Sequence, residues 1–223
     1  MTDCISRKIF VRYDSAMNET HINIIGGGLA GCEAAWQLLR AGFAVRMFER
    51  RPASPSPAHA TDRLAELVCS NSLRSDLLTS AAGLLKAEMR LLDSLIIAAA
   101  DAHRVPAGQA LAVDRESFYE EIERRLRAFE KFELIREEIT KLPADEPTIV
   151  ATGPLTSDAL SRHLAELLGS EYLYFYDAIA PIIEGDSVDM DATFWASRYG
   201  KGEEDGYLNC PMNQEEYLAL IAA

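Results

Sequence analysis

Hydrophobic and polar positions divide the chain into short apolar runs and longer stretches of helical period. Residues 22–25 and 43–48 are apolar runs of strand length, and Leu29, Ala30, Ala34, Trp36, Leu38 and Leu39 fall at helical spacing between them. This predicts a strand–turn–helix–strand unit over residues 21–49. Prolines at 52, 55 and 57 then exclude regular helix. Leu84, Leu85, Met89, Leu92, Leu95 and Ile96 predict one helix of about twenty residues over the core, ended by Pro106 and Gly108. Residues 109–113 read as a strand. Asp114 is a good N-cap for a helix over 115–129, with Phe118, Ile122 and Leu126 as its buried stripe. A short strand at 132–135 and a buried strand at 148–151 follow, then a helix through 168 capped by Ser157 or Thr156. Beyond residue 171 aromatics and acids dominate. Strands are expected at 172–176 and after 177–181, and Asn213 is placed to cap a helix over 214–222.

Composition narrows the class. With 48% hydrophobic and 26% charged residues over 223 positions, the chain suits one large globular domain or two small ones. A formal net charge of −13 argues against a broad nucleic-acid surface on this chain. Arg46, Arg50, Arg51 and Arg63 are a local exception; Arg124, Arg125 and Arg127 sit among glutamates and read as a solvated face, as does the acidic run at 203–205. No apolar run is long enough to span a membrane, and the first twenty residues, a polar extension, lack the apolar core of a signal peptide. Cys4, Cys32, Cys69 and Cys210 are widely spaced without a C-x-x-C pair, so no metal site and a cytoplasmic location with reduced thiols are expected.

The chemistry concentrates in GGGLAG, residues 26–31. Gly26 permits a tight turn, Gly28 lets backbone approach a pyrophosphate, and Gly31 lets the helix lie against the strand. With Gly27, Leu29 and Ala30 they form the expected cradle, where free N–H groups and the helix dipole face phosphates. Glu49, ending the second strand, is placed to accept hydrogen bonds from ribose hydroxyls. A glycine turn that binds nothing is the plain alternative, and the strand before it, the helix after it and the acid at this spacing weigh against it. Arg50 and Arg51 either face the adenosine end of a cofactor or stand exposed. The Ala-Thr-Gly at 151–153, with Gly153 allowing close backbone approach, favours a flavin over a nicotinamide. The fold class is therefore α/β, with a Rossmann-like FAD-binding region over 21–170 and a change of character over 171–223.

Cys69 precedes Ser70, Asn71 and Ser72, which can donate hydrogen bonds to a thiolate or a flavin edge, and Arg74 can favour the thiolate by its charge. Its alternative is a buried, inert cysteine. Cys32 reads as packing and Cys210 as structural. His59 either faces the cofactor or is an exposed loop histidine; His103 ends a helix, where positive charge is favourable.

Taken together, GGGLAGCEAAWQL, PAHATDRLAELVCSNSLRS, LLKAEMRLLDSLIIAAAD, VPAGQALAVDRESF, IVATGPLTSDAL and YLNCPM resemble the folate- and FAD-dependent tRNA uracil-5-methyltransferases, the TrmFO family. The resemblance runs from residue 21 to the end, and AELVCSNSLRS is its most specific part; it implies a Rossmann-like FAD-binding domain of the glutathione-reductase type over 21–170, followed by the start of an inserted α+β domain over 171–223. It implies C5 methylation of the T-loop uridine of tRNA, with 5,10-methylenetetrahydrofolate as one-carbon donor, FAD as redox cofactor and NAD(P)H as reductant. It also implies a catalytic role for Cys69, a second catalytic cysteine beyond this chain, and no metal or membrane partner. Members of that family are roughly twice as long, so the chain matches an N-terminal half, and weak FAD affinity with little methyl transfer is expected of it alone. Competing readings are an FAD or NAD oxidoreductase acting on a small substrate, or an inactive truncated fragment.

Overall fold

The computed structural model describes residues 21–54, 56, 58–169, 185–196 and 207–222. The polar extension, the strand expected at 172–176, the turn expected at 177–181, the acidic run at 203–205 and Cys4 lie outside them.

The first unit forms as its pattern predicts: strand β1 (His21–Ile25), helix α1 (Leu29–Arg40) and strand β2 (Ala44–Phe48). The chain continues through strand β3 (Ser72–Ser75), helices α2 (Ala81–Leu91) and α3 (Leu95–Ala102), strands β4 (Arg104–Val105) and β5 (Ala110–Val113) and helix α4 (Arg115–Arg127). Strands β6 (Phe132–Ile135) and β7 (Thr148–Val150) and helix α5 (Asp158–Leu168) complete this part. A hairpin of β8 (Phe194–Ala196) and β9 (Tyr207–Asn209) and helix α6 (Gln214–Ala222) follow.

Four strands form a parallel sheet in the order β6-β2-β1-β7. One face of it carries Ile24, Val45 and Met47, which pack with Cys32, Ala35 and Leu39 of α1 and with Phe118, Ile122 and Leu126 of α4. The aligned apolar faces bury one continuous core, the main source of stability here. The strand expected at 109–113 joins a separate antiparallel sheet, β3-β5-β4. All four residues of β5 are buried, a pattern that does not distinguish the two kinds of sheet in sequence.

Two expectations are corrected. The single helix over residues 84–105 is two helices. Asp93 adopts φ 55°, a left-handed conformation, and Ser94 then caps α3, its Oγ accepting a hydrogen bond from the Ile97 N–H. The apolar spacing runs through the break, so it does not reveal it. Leu84 and Leu85 are exposed on α2, whereas Leu95, Ile96, Ala99 and Ala100 of α3 enter the core. The strand expected to be buried, β7, is a sheet edge: Ile149 and Val150 are 38% and 37% exposed because no further described strand pairs beyond them. Among the described residues no helix is long and apolar enough to cross a membrane, and no group of His, Cys, Asp or Glu is placed to hold a metal ion.

Candidate dinucleotide site

The carboxyl ends of β1, β2 and β7 converge on one cleft. Gly26 leaves β1 with φ 106°, and its N–H donates to the Phe48 carbonyl (2.8 Å). A β-carbon at Gly26 would stand 2.7 Å from the Ala151 carbonyl oxygen; at Gly31 it would stand 1.9 Å from the Gly26 oxygen. Neither position accepts a side chain while the backbone stays in place. At Gly28 a β-carbon would meet nothing within 4 Å, so the space above this residue is open.

Gly28 is also the N-cap of α1, which has no side-chain cap and no acid in its first turn. The other described α-helices are each capped by a side chain: Ser80, Ser94, Asp114, Ser157 and Asn213. The start of α1 therefore keeps backbone donors and its positive dipole end for an external anion. Open space above Gly28, an uncapped helix and a tight turn form a cradle that fits the pyrophosphate of a dinucleotide.

The cleft is lined by Gly26, Gly27, Gly28, Glu49, Arg50, Arg51 and His59, with Ala151, Thr152 and Leu155 from the far side. The other expected residues fall elsewhere. Leu29 and Ala30 line a second, apolar groove beside Met89 and Lys86, and Gly31 is buried beneath the turn. Gly153 (φ 60°) is exposed next to the cleft wall. Cys69 is half-buried between Leu67 and β3 and is not among the residues lining either hollow. Cys32 is fully buried under the turn, its thiol 3.5 Å from the Gly27 carbonyl; burial, with the Glu49 charge, pushes its pKa far above the thiol range. Cys210 is exposed.

Glu49 is 6% exposed. Its Oε2 accepts the Gly27 N–H (2.8 Å), and its Oε1 accepts the Arg51 N–H and Nε–H (3.0 and 2.9 Å). Burial alone would raise its pKa, but the Arg51 hydrogen bonds and charge together with the Gly27 N–H outweigh this and hold it below the usual carboxylate value. Neither alternative for Arg51 describes it: the side chain is buried at 2% exposure between Glu49 and Glu66. His59 reaches the cleft with Ser56 within hydrogen-bond distance, and burial and the Arg51 charge lower its pKa. Sequence reasoning passed over Glu66 and Glu138, and read Ser157 only as a helix cap. Neither acid lies in a periodic pattern, and only the fold carries Glu138 to the cleft and Glu66 to Arg51 behind it.

An uncapped helix behind a glycine turn, at the carboxyl edge of a parallel sheet with a buried acid ending the next strand, defines a Rossmann-like dinucleotide-binding domain. The chain belongs to the glucose inhibited division protein A family, whose profile matches residues 21–223. It is 59% identical over 196 residues to the methylenetetrahydrofolate--tRNA-(uracil-5-)-methyltransferase TrmFO of Syntrophus aciditrophicus (strain SB), covering 88% of this chain and 44% of that protein. It is 58% identical over 201 residues to the protein of the same name from Bacillus subtilis (strain 168), covering 90% of this chain and 46% of that one. The chain thus spans about half the length of the curated relatives it matches. Among solved structures, CtdE in complex with FAD and substrate 4 aligns at a TM-score of 0.38 and 13% identity over 61% of this chain and 38% of that one, too remote to supply detail.

Proposed function

We propose that this chain is the FAD-binding part of a tRNA uracil-5-methyltransferase that uses 5,10-methylenetetrahydrofolate as one-carbon donor and NAD(P)H as reductant, in the cytoplasm. The observation that carries the reading is 58–59% identity to two TrmFO proteins over nearly nine-tenths of the chain. The dinucleotide cleft supports it independently. The free backbone N–H groups at the start of α1, behind the glycine turn at residues 26–28, hold the pyrophosphate, Glu49 meets the adenosine ribose, and Arg50 supplies a cation lining the cleft. Bound FAD supplies the redox chemistry. Cys69 is the proposed nucleophile toward the pyrimidine or its one-carbon adduct, with the neighbouring hydroxyls and amide as hydrogen-bond donors. We assign residues 21–170 to the FAD-binding region and 171–223 to the start of an inserted domain.

The test pairs this chain with a protein extended to the length of the relatives. Both should quench FAD fluorescence, the longer one more tightly. The longer one should methylate tRNA when given methylenetetrahydrofolate and NADPH. Cys69→Ser should abolish methylation and leave FAD binding within about twofold, since the substitution removes only a nucleophile. An extended protein that binds FAD but never methylates tRNA would rule the reading out.

A further inference from the structure

Arg51 is nearly sealed from solvent, yet it contacts the cleft acid directly. Its N–H and Nε–H both donate to Glu49 Oε1, while the Gly27 N–H donates to Oε2. A carboxylate offers about four acceptor positions. Three donors already occupy Glu49, which leaves a single position on a residue that lines the cleft.

The far end of the guanidinium is braced. Arg51 Nη1 donates to Glu66 Oε2 (2.7 Å) and to the Thr61 carbonyl (3.3 Å). Glu66 in turn accepts from the Ala60 N–H (2.8 Å), the Thr61 N–H (3.3 Å) and the Thr61 hydroxyl (2.9 Å). The same segment closes on the glycine turn: the Ala65 N–H donates to the Gly27 carbonyl (2.8 Å), and a β-carbon on Gly27 would stand 2.6 Å from Leu64 Cδ2. One buried cation between two carboxylates thus joins residues 60–66 to the dinucleotide turn. A buried charge stripped of a partner is costly, so the guanidinium is committed to both acids and is not free for a phosphate.

Resting on the dinucleotide reading above, we propose that Arg51, braced by Glu66, is a positioning residue that leaves Glu49 one acceptor position. Glu49 then takes one ribose hydroxyl of an adenosine nucleotide and turns away a nucleotide phosphorylated at that ribose. An acid held as an acceptor cannot pair with a phosphate oxygen and repels its charge.

Calorimetric titration of this chain with ADP, 2′-deoxy-ADP, 3′-deoxy-ADP, AMP and adenosine 2′,5′-bisphosphate tests the assignment. Losing one hydroxyl should weaken binding about tenfold, the scale of one hydrogen bond to a charged group, and losing the other less than about twofold. The bisphosphate should bind at least about tenfold more weakly than AMP, which shares its 5′-monophosphate and lacks only the 2′-phosphate. In Arg51→Lys, which removes the Nε–H donor, the two deletions should cost alike. Because that variant disturbs a buried charge, Glu66→Gln provides an independent arm. It keeps the Arg51–Glu49 contacts, should raise amide exchange at Ala60 and Thr61 about tenfold, and should narrow the difference between the two deoxynucleotides. Equal penalties in the unaltered chain, or full discrimination kept in both variants, overturns the role of Arg51 while the dinucleotide reading stands. If the unaltered chain binds neither ADP nor FAD, the dinucleotide reading falls and takes this inference with it.

Discussion

Gly31→Ala separates two opposing physical effects. Alanine is the better helix former, and replacing a glycine inside an ordinary helix stabilises by about 1 kcal/mol. At Gly31 the added β-carbon would stand 1.9 Å from the Gly26 carbonyl oxygen and 3.4 Å from Ile24 Cγ2. The obstacle is backbone, and that backbone is the cofactor turn itself. Helix α1 must withdraw from β1 by about 1 Å, loosening the packing of Cys32, Ala35 and Leu39 against Ile24. Overpacking of this kind costs about 1–3 kcal/mol, and a rigid obstacle places it at the upper end. Helix propensity offsets part of that, leaving a net loss of about 1–2 kcal/mol, or about 2–8 °C in midpoint for a chain of this size. Thermal unfolding followed by circular dichroism measures this, and FAD fluorescence quenching on the same samples should show weaker binding. Gly28→Ala is the control: nothing lies within 4 Å of its added carbon, so stability should fall by no more than about 1 kcal/mol, the scale of losing a good N-cap residue, while nucleotide affinity falls. A neutral or stabilising Gly31→Ala would refute the close helix–strand approach from which the cradle is argued.

Phe118→Ala, in the fully buried stripe of α4, should destabilise by about 3–5 kcal/mol in denaturant titration. Ser94→Ala should cost about 1–2 kcal/mol, because its hydroxyl both caps α3 and donates to Glu33 Oε2 at 2.7 Å. The Glu49 carboxyl titrates below its ordinary value in the folded chain, so it contributes stability above the unfolded pKa. That contribution should be lost as pH falls through the depressed folded value, and Glu49→Gln should flatten the acid limb of a stability–pH curve. Iodoacetamide at pH 8 should label exposed Cys210 in the native chain and reach Cys32 only on unfolding, since the buried Cys32 stays a thiol.

What could be read in advance follows the range of the forces involved. The β1–α1–β2 unit, the Asp114 cap and the Phe118, Ile122 and Leu126 stripe were legible because each depends on residues within a few positions of one another. The glycine spacing carried the shape of the turn for the same reason. The break between α2 and α3 was not legible: apolar spacing continues through Leu92, and only the left-handed backbone at Asp93 and the Ser94 cap divide it. The sheet joined by β5 was equally hidden, since a fully apolar run fits either kind of sheet.

By itself, then, the sequence determined a dinucleotide-type turn with an acid at the end of the next strand, because local backbone geometry and period require little else. Only the tertiary structure decided that the acid is Arg51's partner as well as a cleft residue, and that Glu66 stands behind it. It likewise placed Leu29 and Ala30 in a different hollow from Gly28. Those facts depend on segments far apart in sequence being packed together, and burial turns Arg51, a surface residue on composition alone, into the cation joining two carboxylates.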